Sequence, residues 1–93
     1  VCTGIIEASI TDYNLYVGRS VTVGGVTVRC TRIWYSNVTY EVACGGTVLD
    51  TLTLDGRGVT GEVRGDGFTV TIHQIGVNHT SGYVHVDITV TLD

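Results

Sequence analysis

Hydrophobic and polar residues alternate along most of this chain. The cleanest run is 83–92, where Val84, Val86, Ile88, Val90 and Leu92 alternate with His85, Asp87, Thr89 and Thr91. A period of two places the two sets on opposite faces of a β-strand, so this segment predicts a strand with one face in a core. The stretch 21–44 carries the same pattern in two arms. A strand over 20–23 meets Gly24-Gly25, a two-residue hairpin signal between alternating runs. Val26, Val28 and Cys30 then share a face, and Val38, Tyr40, Val42 and Cys44 share a face on the next arm. Further strands are predicted over 47–54, 59–64 and 68–73, between glycine- and aspartate-bearing turns. In 47–54, Val48, Leu52 and Leu54 are expected inward, which leaves Asp50 out of place among them. Residues 1–10 read as an apolar extended segment with Ile6, Ala8 and Ile10 on one face. Residues 11–14 interrupt it with the turn formers Asp12 and Asn14.

No stretch keeps a helical period. About seven to nine short, mostly antiparallel strands with regular turn signals predict an all-β chain, a small Ig-like β-sandwich. Residues 17–33 align with 59–75 at a constant offset of 42, with identities at Val17/Val59, Val21/Val63, Gly25/Gly67, Thr27/Thr69, Val28/Val70 and Ile33/Ile75. This reads as an internal duplication of a strand unit. A chain rich in Val, Thr and Gly also matches itself through composition alone.

Composition narrows the class. The 93 residues suffice for one domain, and only 15% are charged, so Thr, Ser, Gly and Asn must coat much of the surface. Net charge is −4, and the five basic residues, all Arg, are scattered at 19, 29, 32, 57 and 64. That is no footprint for nucleic acid or an anionic membrane. No apolar run approaches the roughly 18 residues of a membrane helix. The chain starts with Val, as expected after removal of a signal peptide.

Three cysteines, at 2, 30 and 44, point to an oxidising compartment. With residues 34–38 as the tip of the first hairpin, Cys30 sits roughly opposite Cys44, so a cross-strand disulfide between them is expected. It would add about 3 kcal/mol on the chain-entropy estimate. Cys2 is then unpaired or intermolecular; its pairing with Cys30 or with Cys44 is also open. Asn37-Val38-Thr39 and Asn78-His79-Thr80 are N-glycosylation sequons. Together these features predict an extracellular or cell-surface location and an N-linked glycan at Asn37 and Asn78.

Candidate chemistry is sparse. His73, His85 and Asp87 fall on the polar side of the last hairpin and carry donor types that suit Zn²⁺ or Cu²⁺. The competing explanation is plain outward alternation of polar residues. The carboxylates lie mostly in turns, the serines lack a nucleophile-elbow context, and no base accompanies a cysteine. No catalytic residue and no cofactor are therefore expected, and the chain is read as a non-enzyme. Trp34, Tyr35 and Tyr40 gather around the first tip, where they could plug the sandwich, form an interface or stack on a sugar.

The Val/Thr/Gly-rich strands, the sequons, the start at Val1 and the cysteines together resemble subunits of archaeal extracellular filaments of the thread or bundling-pilus kind. The resemblance spans the whole chain in composition and layout. It implies a structural subunit of a secreted filament, assembled head-to-tail with copies of itself by donor-strand complementation. The donor would be residues 1–10, through Ile5, Ile6, Ala8 and Ile10, ahead of a sandwich domain at 11–93. The acceptor would be the last strand, through Val84, Val86, Ile88 and Val90. The alternative for residues 1–10 is an ordinary first strand paired within its own domain. The alternative for the whole chain is a monomeric Ig-like adhesion or carbohydrate-binding module of a cell-surface protein.

Overall fold

The alternating segments become eight strands in a computed structural model that describes residues 2–93. They are β1 (Ala8–Tyr16), β2 (Ser20–Val23), β3 (Val26–Trp34), β4 (Asn37–Cys44), β5 (Thr47–Asp55), β6 (Val59–Arg64), β7 (Phe68–Asn78) and β8 (Tyr83–Leu92). Val1, on which the expectation of a processed start rests, lies outside the described residues. Two antiparallel four-stranded sheets form, in the orders β1-β8-β7-β6 and β2-β3-β4-β5. The expected small all-β sandwich is what the chain adopts. Within the sheets, chain neighbours pair in sequence except that β1 lies beside β8.

The two sheets are completed differently. β2-β3-β4-β5 is a continuous meander. β6, β7 and β8 form a three-stranded meander, and the N-terminal β1 supplies its fourth strand alongside β8. The segments that align at an offset of 42 take matching places: β2–β3 and β6–β7 are each an edge strand with its inner neighbour.

The core follows the period-two pattern. Val84, Val86, Ile88 and Val90 line the inner face of β8, facing Val26, Val28, Val38, Tyr40 and Val42 of the other sheet. Bulges explain where the simple pattern fails. The register of β4 on β5 slips between Val42↔Asp50 and Ala43↔Val48, so an extra residue, Leu49, takes the inward place. Val48 is consequently 51% exposed rather than inward, and Asp50 faces out without conflict. In β1 the predicted break at 11–14 bends the strand without ending it. Asp12 takes a left-handed φ of 53° and the register on β8 slips between Ile10 and Tyr13, after which pairing resumes.

One buried polar network ties the sheets together. The Tyr40 hydroxyl donates to Gln74 Oε1 at 2.6 Å. Gln74 Nε2 donates to the Gly56 carbonyl at 2.7 Å, and Gly58 N–H donates to the Gln74 carbonyl at 2.7 Å. Gln74 is wholly buried, so these partners replace the water it gave up. The network fixes the 55–58 loop against the hairpin turn at Tyr35 and Ser36, since Gln74 Nε2 also reaches the Ser36 carbonyl at 3.4 Å. Replacing Tyr40 with Phe removes the donor and leaves Gln74 Oε1 buried. Urea unfolding should show a loss of about 1–3 kcal/mol. A loss under about 0.5 kcal/mol, the range of an ordinary surface change, would show that the network carries no stability.

Candidate assembly site

The N-terminal arm is held at three places. Ala8, Ser9 and Ile10 pair with Val90, Thr89 and Ile88, so the arm lies along the strand expected to accept it. The partner is β8 of the same chain. Further back, Ile6 N–H donates to the Gly24 carbonyl at 3.1 Å. A side chain at Gly24 would collide with the Ile6 carbonyl oxygen, and one at Gly25 would stand 3.1 Å from that of Gly4. These glycines thus serve two needs. Positive φ values of 57° and 87° make the two-residue hairpin turn between Val23 and Val26, and the missing side chains let the arm's backbone lie on that turn. Ile5, Ala8 and Ile10 pack partly against the core. Ile6 does not: residues 2–7 are not regular strand, the alternation lapses there, and Ile6 is 61% exposed.

The third hold is covalent, and it corrects the expected cysteine pairing. Cys2 is bonded to Cys44, with Cα atoms 5.5 Å apart, and Cys30 is free and buried. The hairpin turn and a bulge explain the difference. The turn is confined to Tyr35 and Ser36, because Trp34 pairs with Asn37, and the register slips by one more residue between Cys30 and Arg32, so Cys30 falls opposite Tyr40 and not near Cys44. Thr27 pairs with Ala43, which places Cys44 beside Val26, four residues along the strand from Cys30. Four residues span about 13 Å, far beyond disulfide reach. The Cys2–Cys44 bond closes a sequence separation of 42 and anchors the arm to the turn after β4. Its chain-entropy contribution is about 4 kcal/mol, more than the shorter loop would have given.

The candidate metal ligands do not converge. His73 lies opposite Asp87, but its Nδ1 is 2.7 Å from Thr60 Oγ1 on β6. His85 turns the other way, with Nε2 3.3 Å from Asp12 Oδ1 on β1. Asp87 Oδ1 accepts the Asp12 N–H at 2.9 Å and so braces the bend in β1. Among the described residues no three His, Cys, Asp or Glu side chains are grouped to hold a metal. Asp12 and His85 instead border an open polar groove of about 640 Å³ with Asn14, Arg57, Asn78 and Tyr83.

The two ends of the sandwich differ in character. The arm, the disulfide, Gly24-Gly25 and the Asp93 N–H bond to the Gly67 carbonyl mark one end. The other carries exposed aromatics. The rings of Trp34 and Tyr35 meet edge to face at 5.0 Å, and Tyr35 lies 4.9 Å from the His79 ring. Both sequon asparagines, Asn37 and Asn78, are at this end. Tyr40, grouped with these aromatics in the sequence, is instead buried in the core. The glycine-cleared seat for the arm was beyond sequence reasoning, because Gly24-Gly25 already had a full explanation as a turn.

Compared with known proteins, the chain matches no family model, no curated protein and no solved structure.

Cysteine chemistry tests the arrangement. Burial raises the Cys30 thiol from 9.0 to about 11, against a smaller opposing effect of a backbone hydrogen bond at Arg32. The native oxidised protein should therefore show no reactive thiol near pH 8, and one after unfolding without reductant. Because the folded pKa lies above the unfolded one, the contribution of Cys30 to stability is complete below pH 9 and is lost as pH rises toward about 11. Urea midpoints of wild type and Cys30→Ala, measured from pH 8 to 11, should converge across that window. A constant gap would contradict the assignment.

Proposed function

We propose that this chain is a structural subunit of an extracellular polymer, assembled by passing the N-terminal arm, residues 1–10, into the sheet of a neighbouring copy. The observation that carries the reading is the incomplete β6-β7-β8 meander, whose open β8 edge is filled by a segment from the far end of the sequence. Such an edge is a row of unpaired N–H and C=O groups, and any copy of the same arm satisfies it equally well.

Exchange keeps the contacts of the arm and changes only who provides them. Ala8–Ile10 pairing, the seat at Gly24-Gly25 and the bond to Cys44 can each form within a chain or between chains. The bend between Ile10 and Tyr13 is the natural hinge. Its left-handed Asp12 costs about 1–2 kcal/mol in the closed form, and straightening relieves that cost. Each subunit then gives one surface and receives another, a heterologous contact that grows into an open filament. Exposed Ile6, Val48 and Leu92 at the arm's end of the sandwich supply apolar area for such a contact. A Cys2–Cys44 bond formed in exchange would join neighbours covalently, which suits an oxidising, extracellular setting.

Electron microscopy of the purified full-length chain, reduced and then allowed to reoxidise at high concentration, should show filaments. Deletion of residues 1–10 should leave a soluble β-rich monomer that forms none. Gly24→Ala, which blocks the seat without touching the arm, should fail in the same way. Filaments from the deletion variant would refute the reading.

A further inference from the structure

We infer that Trp34, Tyr35 and His79 form a platform for the chain's own N-linked glycans, attached at Asn37 and Asn78. Two sequons 41 residues apart in sequence border a single aromatic cluster. Trp34 is directly paired with Asn37 across the β3–β4 hairpin. Cross-strand partners project on the same face with Cβ atoms about 5 Å apart, so the first sugar on Asn37 starts beside the indole. Asn37 and Thr39 sit at i and i+2 of β4 and share that outer face. His79, the middle residue of the second sequon, reaches over to Tyr35. Asn78 Oδ1 accepts the Ser81 N–H at 2.9 Å, which orients that amide at the loop.

The cluster holds large rings open to solvent. Trp34 and Tyr35 are 60% and 61% exposed, and Tyr35 holds a left-handed φ of 55°, which a non-glycine residue rarely adopts. The Arg32 guanidinium lies 5.9 Å from the Trp34 ring centroid, steadying one face. Large rings held open at a hairpin tip are suited to the flat C–H face of a hexose, which covers apolar area while its hydroxyls stay in water. The sugar arrives by group transfer. The Asn Nδ2 attacks the anomeric carbon of a polyprenyl-pyrophosphate-linked oligosaccharide. A C–N bond replaces the C–O bond, the amide loses a proton, and the lipid pyrophosphate leaves. A separate oligosaccharyltransferase provides the catalysis.

Trp34 is the only tryptophan in the chain, so its fluorescence reports this site alone. The protein should be made in a host with an oligosaccharyltransferase, alongside the Asn37→Gln/Asn78→Gln variant. Intact mass should exceed that of the chain by whole sugar residues in the first protein and match it in the variant. Acrylamide should quench Trp34 at least about twofold less in the glycosylated protein, because the sugar shields the ring. A mass equal to the bare chain in both proteins overturns the proposal. So does equal quenching of glycosylated and bare forms. Shielding of the bare variant by added free oligosaccharide would instead mark a site for soluble sugar, and also overturns it.

Discussion

Backbone groups on the outer edge of β8 need partners, and the rest of the molecule is arranged around that need. The inner face of β8 is buried, with Val84, Val86 and Ile88 sealed in the core. The edge of β8 away from β7 is bordered by β1. The strand that fills the gap is the N-terminal one, and it is held by features placed elsewhere in the chain: the bare Gly24-Gly25 turn, the Cys44 thiol, and the Asp87 carboxylate beneath the bend. These fasteners lie on both sheets, so seating the arm also clamps one sheet to the other at that end. The Tyr40–Gln74 network does the same at the opposite end.

Most strands were legible from alternation alone. β8 was plainest, because one inward and one outward set run through it without a bulge on the β7 side until Gly76. Where the reading failed, a single extra residue was responsible. Leu49 reverses the faces of β5 around it, and period-two reasoning has no means of placing such an insertion. The cysteine pairing failed for a related reason. Register depends on where a turn is centred and on any bulge beyond it, and a broad tip at 34–38 gives a different partner for Cys30 than the tight turn at Tyr35 and Ser36 followed by the slip between Cys30 and Arg32. A residue with Tyr35's left-handed backbone gives no local warning in sequence. Gln74 shares the inward side of β7 with Phe68, Val70 and Ile72, so alternation accounts for its burial; what the sequence does not supply is the polar partner, Tyr40 from the other sheet, that satisfies its amide.

The disulfide and the arm's exchange bear on one another. Within one chain, the Cys2–Cys44 bond closes the arm and forbids its release. Between chains, the same bond would make release from the neighbour equally difficult. Oxidation therefore acts as a latch on whichever arrangement exists when it occurs, and the bonded product records that history. The backbone pairing of the arm ahead of the bend is short, three residue pairs from Ala8 to Ile10. Strand exchange of this kind depends little on new contacts and much on local concentration and on strain at the hinge.

Mixed-isotope disulfide mapping tests the central claim most directly. Equal amounts of reduced unlabelled and ¹⁵N-labelled full-length chain would be combined, assembled and oxidised, and the polymer fraction digested without reductant. If the arm passes between subunits, about half of the Cys2–Cys44 peptide pairs should carry one labelled and one unlabelled partner, as random exchange in a head-to-tail polymer requires. Pairs that are all labelled or all unlabelled would show that the arm stays with its own sheet, and would contradict strand exchange as the basis of assembly.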